Sequence, residues 1–335
     1  MKPLIIFALG FAAAVALTAT SAQAQSAPVS SSEGIAAVDS MRQQSLVGTH
    51  GFIDRRAAFE KLMARFPVPD GVTIRTVSAN GVPGKWLSPD NDNSSRAHKR
   101  GVILYLHGGG FYSGSSDSHR VLAATLSKDA QADVLVIDYR RMPEAVYPAQ
   151  IDDAVTSYEW LLQQGYSASN IALAGESAGG NLVLELALRL RAAHRPLPSS
   201  MVAMSPIMDL TASGASTRTN ADRDPLLTRD GLLNVTRVYM HGVDPRSPDA
   251  SPLFADLHGL PPLLLQVGAG EILLDDSLRI ARAAAMDDVA VSVEVWPGMV
   301  HQWQLFPSLV PDARRALKDS GEFIHAHMAL AGQVQ

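Results

Sequence analysis

The chain has 335 residues, of which 47% are hydrophobic and 18% are charged, and its formal net charge is −5. This composition predicts a soluble globular protein with a large core, built as one large α/β domain or two smaller ones. There is no basic excess, so nucleic acid is not expected as a partner. The sequence has no cysteine and no H-E-x-x-H motif, so we expect no catalytic zinc.

The N-terminus carries the pattern of a secretory signal. Lys2 precedes an apolar run over residues 4–20, and Ala22 and Ala24 form an A-x-A site. We predict a signal peptide over residues 1–24 that is cleaved after Ala24, which gives a periplasmic or secreted protein with no stable membrane anchor. An uncleaved anchor is the alternative, but the apolar run is short for a membrane span.

Strand-like and helix-like patterns alternate along most of the chain. Residues 72–78 and 291–296 predict strands, the latter near a sheet edge, and continuous apolar runs predict buried parallel strands over 102–107, 133–139, 170–175, 201–205 and 262–268. A helical pattern over 151–162 lies between the strands at 133–139 and 170–175, another over 181–190 follows, and a last helix is predicted from about Pro311 to Leu330. This alternation predicts an α/β fold with a mostly parallel central sheet and helices on both faces.

Two segments interrupt this pattern. Residues 25–70 are polar and then helical, and residues 209–251 are polar and rich in turns. We predict that both segments form a cap over the carboxyl edge of the sheet, and that residues 71–208 and 252–335 form the catalytic domain. Four apolar side chains of the cap are candidates for a pocket or for simple packing: Met41, Met63, Phe66 and Tyr239.

A nucleophile motif follows one of the predicted buried strands. Gly175, Ser177 and Gly179 fit G-x-S-x-G between the strand and an apolar helix, the context that a serine nucleophile on a tight turn requires. Upstream, His107 and Gly108–Gly110 form an HGGG loop, which together with the amide of Ala178 predicts an oxyanion hole. No Lys-Ser/Thr pair follows the glycines, so a phosphate loop is disfavoured. Because His107 ends a buried strand, we assign it a structural role.

A serine nucleophile needs a histidine base and an acid. His301 follows the strand at 291–296, and Glu271 comes first after the strand at 262–268, so the chain order is serine, acid, histidine. Asp275 is the second candidate for the acid. Asp275 and Asp276 fall in the first turn of a predicted helix, where acids commonly cap free N–H groups.

The motifs together resemble those of the hormone-sensitive lipase family of α/β-hydrolases, in its bacterial esterase branch. The segments responsible include "YLHGGGF", "YPAQIDDA", "IALAGESAGGNL", "MSPIMDL", "NADRDPLLT" and "GMVHQW", and they run in the order of the family from about residue 72 to residue 305. The resemblance implies a capped hydrolase of short- to medium-chain acyl esters that needs no cofactor. It also implies an oxyanion hole from the amides of Gly108, Gly109 and Ala178, and a homodimer through the edge strand at 291–296.

The acid departs from the family pattern. The family usually has D-P-L-x-D-[DE], whose first aspartate is catalytic, and here Glu271 occupies that position in "EILLDD". A lactonase, an amidase and an acyltransferase share the same acyl-enzyme chemistry and stay open as alternatives. A non-catalytic small-molecule receptor of the same fold is a further alternative, which the presence of His301 disfavours.

Overall fold

The computed structural model describes residues 30–90 and 100–333, whose strands form an eight-stranded sheet. The predicted signal peptide lies outside the described residues. Among the described residues, no helix combines the length and the apolar character that crossing a membrane requires.

The strands of the sheet, in chain order, are β1 Val72–Ala79, β2 Val82–Pro89, β3 Val102–Leu106, β4 Asp133–Ile137, β5 Ile171–Glu176, β6 Ser200–Met204, β7 Leu263–Gly268 and β8 Val291–Trp296. Their order across the sheet is β1-β2-β4-β3-β5-β6-β7-β8. The pairs β1–β2 and β2–β4 are antiparallel, and all pairs from β4 to β8 are parallel. The predicted mostly parallel sheet is confirmed.

The helices are α1 Ser31–Leu46, α2 Gly51–Met63, α3 Arg120–Ala130, α4 Ala149–Gln163, α5 Ala178–Ala192, α6 Ser216–Thr219, α7 Arg229–Met240, α8 Leu274–Met286 and α9 Pro311–Gln333. Helices α4, α5 and α8 pack on one face of the sheet, and α3 and α9 pack on the other.

The core has two layers because successive side chains of a strand point to opposite faces. In β3, Val102, Leu104 and Leu106 pack in the layer with α4 and α5, whereas Ile103 and Tyr105 pack in the layer with α3 and α9. All five are fully buried, which explains why β3 appears in the sequence as a continuous apolar run.

The parallel strands bring their carboxyl ends to one edge of the sheet. β3 ends before the HGGG loop, β5 ends before Ser177, β7 ends three residues before Glu271, and β8 ends five residues before His301. Segments that are distant in the chain therefore meet at this edge, where open α/β sheets bind their ligands.

Candidate active site

Ser177 lies on a sharp turn between β5 and α5. Its backbone has φ 54° and ψ −117°, a conformation that non-glycine residues rarely adopt. Gly175 and Gly179 permit this turn, since a Cβ on Gly175 would lie 2.6 Å from the carbonyl oxygens of Gly179 and Leu106. The turn projects the hydroxyl beyond the strand while α5 begins immediately behind it, so the helix N-terminus favours negative charge near Ser177.

Ser177, His301 and Glu271 are joined by hydrogen bonds. Ser177 Oγ lies 2.9 Å from His301 Nε2, and His301 Nδ1 lies 2.9 Å from Glu271 Oε2. The carboxylate accepts a hydrogen bond from the N–H at Nδ1, which leaves Nε2 without a proton and free to accept the proton of the serine hydroxyl. All three side chains are buried. The structure thus brings together the three residues that the sequence singled out.

The second oxygen of Glu271 anchors the carboxylate to the sheet. Oε1 accepts hydrogen bonds from the backbone N–H of Gly268 at 2.6 Å and from the hydroxyl of Ser205 at 2.8 Å. Gly268 ends β7, and Ser205 directly follows β6. Glu271 is therefore held by the ends of two neighbouring strands while Oε2 faces His301.

Asp275 and Asp276 lie in the first turn of α8, as predicted, but their expected capping of that helix is wrong. Asp275 Oδ2 accepts from the N–H of Ser216 at 2.9 Å, and Asp276 Oδ2 accepts from the N–H groups of Met208 and Asp209 at 2.8 and 3.0 Å. Both carboxylates thus tie the segment after β6 to α8. Burial, with the nearby charge of Asp209, raises the pKa of Asp276 to about 7.

The prediction for Gly108 is wrong in one respect. Its N–H already donates to Glu176 Oε1 at 2.6 Å, so it is not free to bind an oxyanion. In contrast, Gly109 and Gly110 line the pocket that holds Ser177. Within residues 30–90 and 100–333, the amides of Gly109, Gly110 and Ala178 donate no hydrogen bond to the protein. These three amides are therefore available to donate hydrogen bonds.

Glu176, next to Ser177, is the centre of a buried network. Its Oε1 accepts from His119 Nε2 at 2.7 Å and from Gln302 Nε2 at 3.2 Å, in addition to the bond from Gly108, and its Oε2 accepts from the Tyr105 hydroxyl at 2.7 Å. Burial opposes the charge of His119, but the carboxylate of Glu176, together with the Ser115 carbonyl oxygen and the charge of Glu60, outweighs it and raises the pKa of His119. This network connects the nucleophile turn to the HGGG loop and to the loop that carries His301.

His107 contacts its own loop. Its Nδ1 lies 2.9 Å from the carbonyl oxygen of Gly108, and its ring stacks on Tyr139 with 4.1 Å between ring centroids. Burial, together with the charge of His119, moves the pKa of His107 well below its usual range. A neutral, enclosed imidazole of this kind suits the structural role predicted for His107.

A pocket of about 360 Å³ opens above Ser177 and His301. Its walls come from α1, α2 and α7 and from the segment before α7; the lining side chains include Arg42, Leu46, Arg55, Phe59, Leu62, Tyr112, Ile207, Leu226, Leu227, Leu232 and Val235. The four predicted pocket candidates are not among them. Met41, Met63 and Phe66 pack in the core layer that contains α3 and α9, and Tyr239 stacks on Phe111 at 3.7 Å.

One surface cluster has the side chains of a metal site. Asp256, His258 and Asp287 bring ligand atoms within 4.8 Å of one another. Asp287 follows α8 at its end remote from Glu271, so the cluster lies away from the nucleophile.

Several residues of the site were not predicted. Ser205 and Gln302 give no sequence signal, because their roles arise from contacts between distant segments. Glu176 does give one: it occupies a variable position of G-x-S-x-G, yet it is a charged residue at the end of an apolar strand. A charge in such a position is rarely buried without partners.

The fold and the arrangement of Ser177, His301 and Glu271 define an α/β-hydrolase. Comparisons with known proteins agree, since a family model described as alpha/beta hydrolase fold matches residues 103–305. An acetyl-hydrolase of Streptomyces hygroscopicus is 39% identical over 81% of this chain and 88% of its own length. An esterase of Acinetobacter venetianus is 38% identical over 80% of this chain and 87% of its own.

A solved structure indicates the family within the α/β-hydrolases. The crystal structure of an esterase from the bacterial hormone-sensitive lipase family superposes with a TM-score of 0.83 at 38% identity, and the match covers 88% of this chain and 98% of the other. The chain belongs to the hormone-sensitive lipase family of α/β-hydrolases and is an esterase.

Proposed function

We propose that Ser177 is the nucleophile, His301 the general base and Glu271 the acid in the hydrolysis of carboxylic esters. The observation that carries the proposal is the continuous chain of two 2.9 Å hydrogen bonds from Ser177 Oγ through the imidazole to Glu271 Oε2. A serine hydroxyl is a weak nucleophile until a neutral imidazole removes its proton. The hydrogen bond from His301 Nδ1 to Glu271 supports this role, because it favours the tautomer whose Nε2 can accept the serine proton.

The reaction has two halves. His301 Nε2 takes the hydroxyl proton while Ser177 Oγ attacks the ester carbonyl carbon, and the resulting oxyanion accepts hydrogen bonds from the amides of Gly109, Gly110 and Ala178. The imidazolium then gives its proton to the leaving alcohol, which departs and leaves an acyl-Ser177 ester. In the second half, water gives a proton to His301 as it attacks the acyl carbon. The imidazolium then returns this proton to Ser177 Oγ as the acyl C–O bond breaks, which releases the carboxylic acid and restores the serine hydroxyl and the neutral imidazole. Each oxyanion donor contributes roughly 3–4 kcal/mol in comparable sites.

Short- to medium-chain acyl esters fit the pocket best. A volume of about 360 Å³ is at the small end for ligand sites, and its walls are mainly apolar. A relative 39% identical to this chain is an acetyl-hydrolase, which supports a small acyl group.

The test is an acyl-length series. Purified protein is assayed with p-nitrophenyl acetate, butyrate, octanoate and palmitate, beside an amide and a lactone. We expect kcat/KM to be highest for the shorter acyl groups and turnover to disappear in Ser177→Ala. The exposed strand residue Ser78 provides a matched control, since Ser78→Ala should keep wild-type activity. Turnover that survives in Ser177→Ala would exclude Ser177 as the nucleophile.

We propose that α1, α2 and residues 209–251 form a cap over the carboxyl edge of the sheet. The pocket walls support this, because Arg42 of α1, Phe59 of α2 and Leu232 of α7 line the same cavity as Ser177. The cap would then set which substrates reach the nucleophile.

We propose that the protein is exported and cleaved after Ala24, on the basis of Lys2, the apolar run over residues 4–20 and the A-x-A site. Expression of the full chain in a bacterial host, followed by cell fractionation and N-terminal sequencing, tests this. A mature N-terminus at Gln25 in the periplasm or medium is expected, whereas an intact chain in the membrane fraction would contradict cleavage.

We propose that two copies pair through β8. Among the described strands, β8 lies at the end of the sheet and pairs only with β7, and Val293 and Val295 are 40% and 42% exposed on it. An exposed apolar edge favours pairing with another chain. Light scattering should give a dimer for the wild type and a monomer for Val293→Lys, and a monomeric wild type would refute the interface.

A further inference from the structure

Arg42 is a buried cation in the wall of the proposed substrate pocket. Its side chain comes from α1, is 6% exposed and lines the cavity together with Ser177 and His301. The guanidinium lies 5.0 Å from the ring centroid of Phe306. Within the described part of the chain it donates one hydrogen bond, from Nη2 to the carbonyl oxygen of Gln302 at 3.3 Å. A guanidinium has five N–H donors, so most of its capacity is unused.

The carboxylates around Arg42 do not complete its hydrogen bonding. Among the described residues, its one ion pair is with Asp39, whose Oδ1 lies 4.0 Å from Nη1, and neither of these two buried atoms has a hydrogen-bond partner. The carboxylates of Asp224 and Glu271 also favour the charged form of Arg42. However, Asp224 accepts hydrogen bonds from backbone amides, and both oxygens of Glu271 are already hydrogen-bonded. Burial lowers the pKa of Arg42 to about 10, so it is a cation at neutral pH.

The rest of the pocket strengthens the positive character of this wall. Arg55 lines the same cavity and is exposed, and no aspartate or glutamate is found among the described lining residues. The other walls are mostly leucine, isoleucine, valine and aromatic side chains, which lower the local dielectric and strengthen an interaction with an anion. An apolar cavity with a cation at one wall is complementary to an amphipathic anion.

We infer that Arg42 forms a subsite for a carboxylate carried by the substrate, so that the preferred substrates are short acyl esters with one free carboxylate. This inference rests on the proposed function of Ser177. A carboxylate is favoured over a phosphate because Asp39 already balances part of the charge of Arg42, and a single guanidinium matches one planar, singly charged partner. The carboxylate belongs either to the acyl group or to the alcohol.

Matched pairs of neutral and anionic esters test this and distinguish the two sources. Mono-p-nitrophenyl succinate is compared with p-nitrophenyl butyrate for the acyl side, and 4-acetoxybenzoate with its methyl ester for the alcohol side. The readout is the ratio of kcat/KM for the anionic ester to that for its neutral twin. We expect the wild type to favour the anionic member of one pair, and that pair identifies the side.

Arg42→Gln should lower this ratio by roughly 10- to 100-fold, the range of one charge-assisted hydrogen bond, mainly through KM. If Arg42 only supported the loop of His301, both esters would lose activity equally and the ratio would not move, which would overturn the inference. Asp39→Asn removes the competing carboxylate and should raise the ratio, which keeps the test decisive if Arg42→Gln does not fold. Arg65, exposed outside the pocket, provides the control, since Arg65→Gln should leave the ratio unchanged.

Failure of this inference is distinct from failure of the proposed function. Hydrolysis of neutral esters that depends on Ser177, with no preference for either anionic ester, would refute the subsite alone. A folded protein that hydrolyses no ester would refute the proposed function.

Discussion

Glu176→Ala is expected to impair catalysis even though Glu176 does not contact the substrate. The carboxylate is fully buried and accepts from four donors: the Gly108 amide at 2.6 Å, His119 Nε2 at 2.7 Å, the Tyr105 hydroxyl at 2.7 Å and Gln302 Nε2 at 3.2 Å. Alanine leaves these donors without an acceptor. The HGGG loop, which presents two of the proposed oxyanion amides, then loses its attachment to the nucleophile turn.

The magnitude follows from these contacts. Removing one member of a buried charged pair typically costs about 3–5 kcal/mol, and we expect Glu176→Ala to lower the free energy of unfolding by about that amount. Loss of one aligned oxyanion donor reduces kcat by roughly 100- to 1000-fold. We therefore expect kcat of Glu176→Ala to fall by about 100-fold, with a much smaller change in KM, because the oxyanion forms only as the reaction proceeds.

Glu176→Gln separates the hydrogen bonds from the charge. A glutamine oxygen at the Oε1 position can accept from the same three donors, and its amide N–H can donate to the Tyr105 hydroxyl oxygen. We expect kcat to stay within about tenfold of wild type. Glu185→Gln is the matched control: Glu185 is also buried, burial raises its pKa, and neither of its carboxylate oxygens accepts a hydrogen bond, so its replacement should change kcat little.

The charge of Glu176 also affects how the stability of the protein depends on pH. Burial alone would lower the pKa of His119, but Glu176, with smaller contributions from Ser115 and Glu60, raises it. The protonated pair therefore stabilises the fold below the unfolded pKa of about 6.5. That contribution is lost as the pH rises through the folded pKa of His119. Urea denaturation should therefore show the largest stability difference between wild type and Glu176→Gln at acidic pH. Wild-type kcat in Glu176→Ala, or equal losses in both variants, would refute the reasoning.

Three further predictions concern the acids and the nucleophile turn. Glu271→Ala should cost far more kcat than Asp275→Ala, because only Glu271 contacts His301, and the reverse ranking in steady-state assays would refute the assignment. The pKa of Asp276 is about 7 in the folded protein and 3.8 ordinarily. The protonated carboxyl therefore stabilises the fold fully below pH 3.8, and this stabilisation is lost as the pH rises to about 7. Relative to Asp276→Asn, the free energy of unfolding of the wild type should therefore fall by roughly 4 kcal/mol over this interval, as measured by denaturant titration at several pH values. A difference between the two proteins that does not change with pH would contradict this. Gly179→Ala should lower kcat by at least about tenfold, since its Cβ would clash with the Leu106 carbonyl oxygen, and an active, equally stable variant would contradict the close approach.

The elements that sequence predicted best are those with continuous apolar runs. β3 and β5 were assigned within one residue, because burial on both faces requires apolar side chains throughout. β2 was not predicted, because "VPGKWLSP" contains two prolines and a glycine and resembles a loop. In the structure, Gly84 allows β2 to approach the Val136 carbonyl oxygen of β4, a contact that no local pattern records.

Helix α3 was missed for a related reason. Its N-cap residue His119 makes no capping hydrogen bond to the helix, so the usual start signal is absent. The imidazole instead faces Glu176, and the helix is held by tertiary packing of its buried face against the sheet. His119 thus contacts Glu176 from the position where a capping residue would have indicated the start of the helix.

The catalytic candidates were accessible from sequence because chemistry restricts their residue types and their order along the chain. Most of the residues that support them were not accessible from sequence, because these supports depend on contacts between distant segments. The Gly108 amide meets Glu176 across 68 positions, and Ser205 meets Glu271 across 66. The resemblance to the family placed Gly108 in the oxyanion hole, and only the tertiary contact with Glu176 shows that its amide is already used.

Buried carboxylates recur as anchors of the loops at the carboxyl edge of the sheet. Glu176 accepts the amide of Gly108, Glu271 accepts that of Gly268, and Asp276 accepts those of Met208 and Asp209. Loop amides at a strand end have no ladder partner, and leaving them buried and unpaired would cost free energy. A carboxylate supplies several acceptor sites, so one side chain can satisfy a loop amide and still bind a second group. Glu271 shows the consequence most directly: Oε1 fixes the carboxylate to the ends of β6 and β7, and Oε2 is thereby aimed at His301. The longer glutamate side chain is accommodated because it folds back onto the end of its own strand.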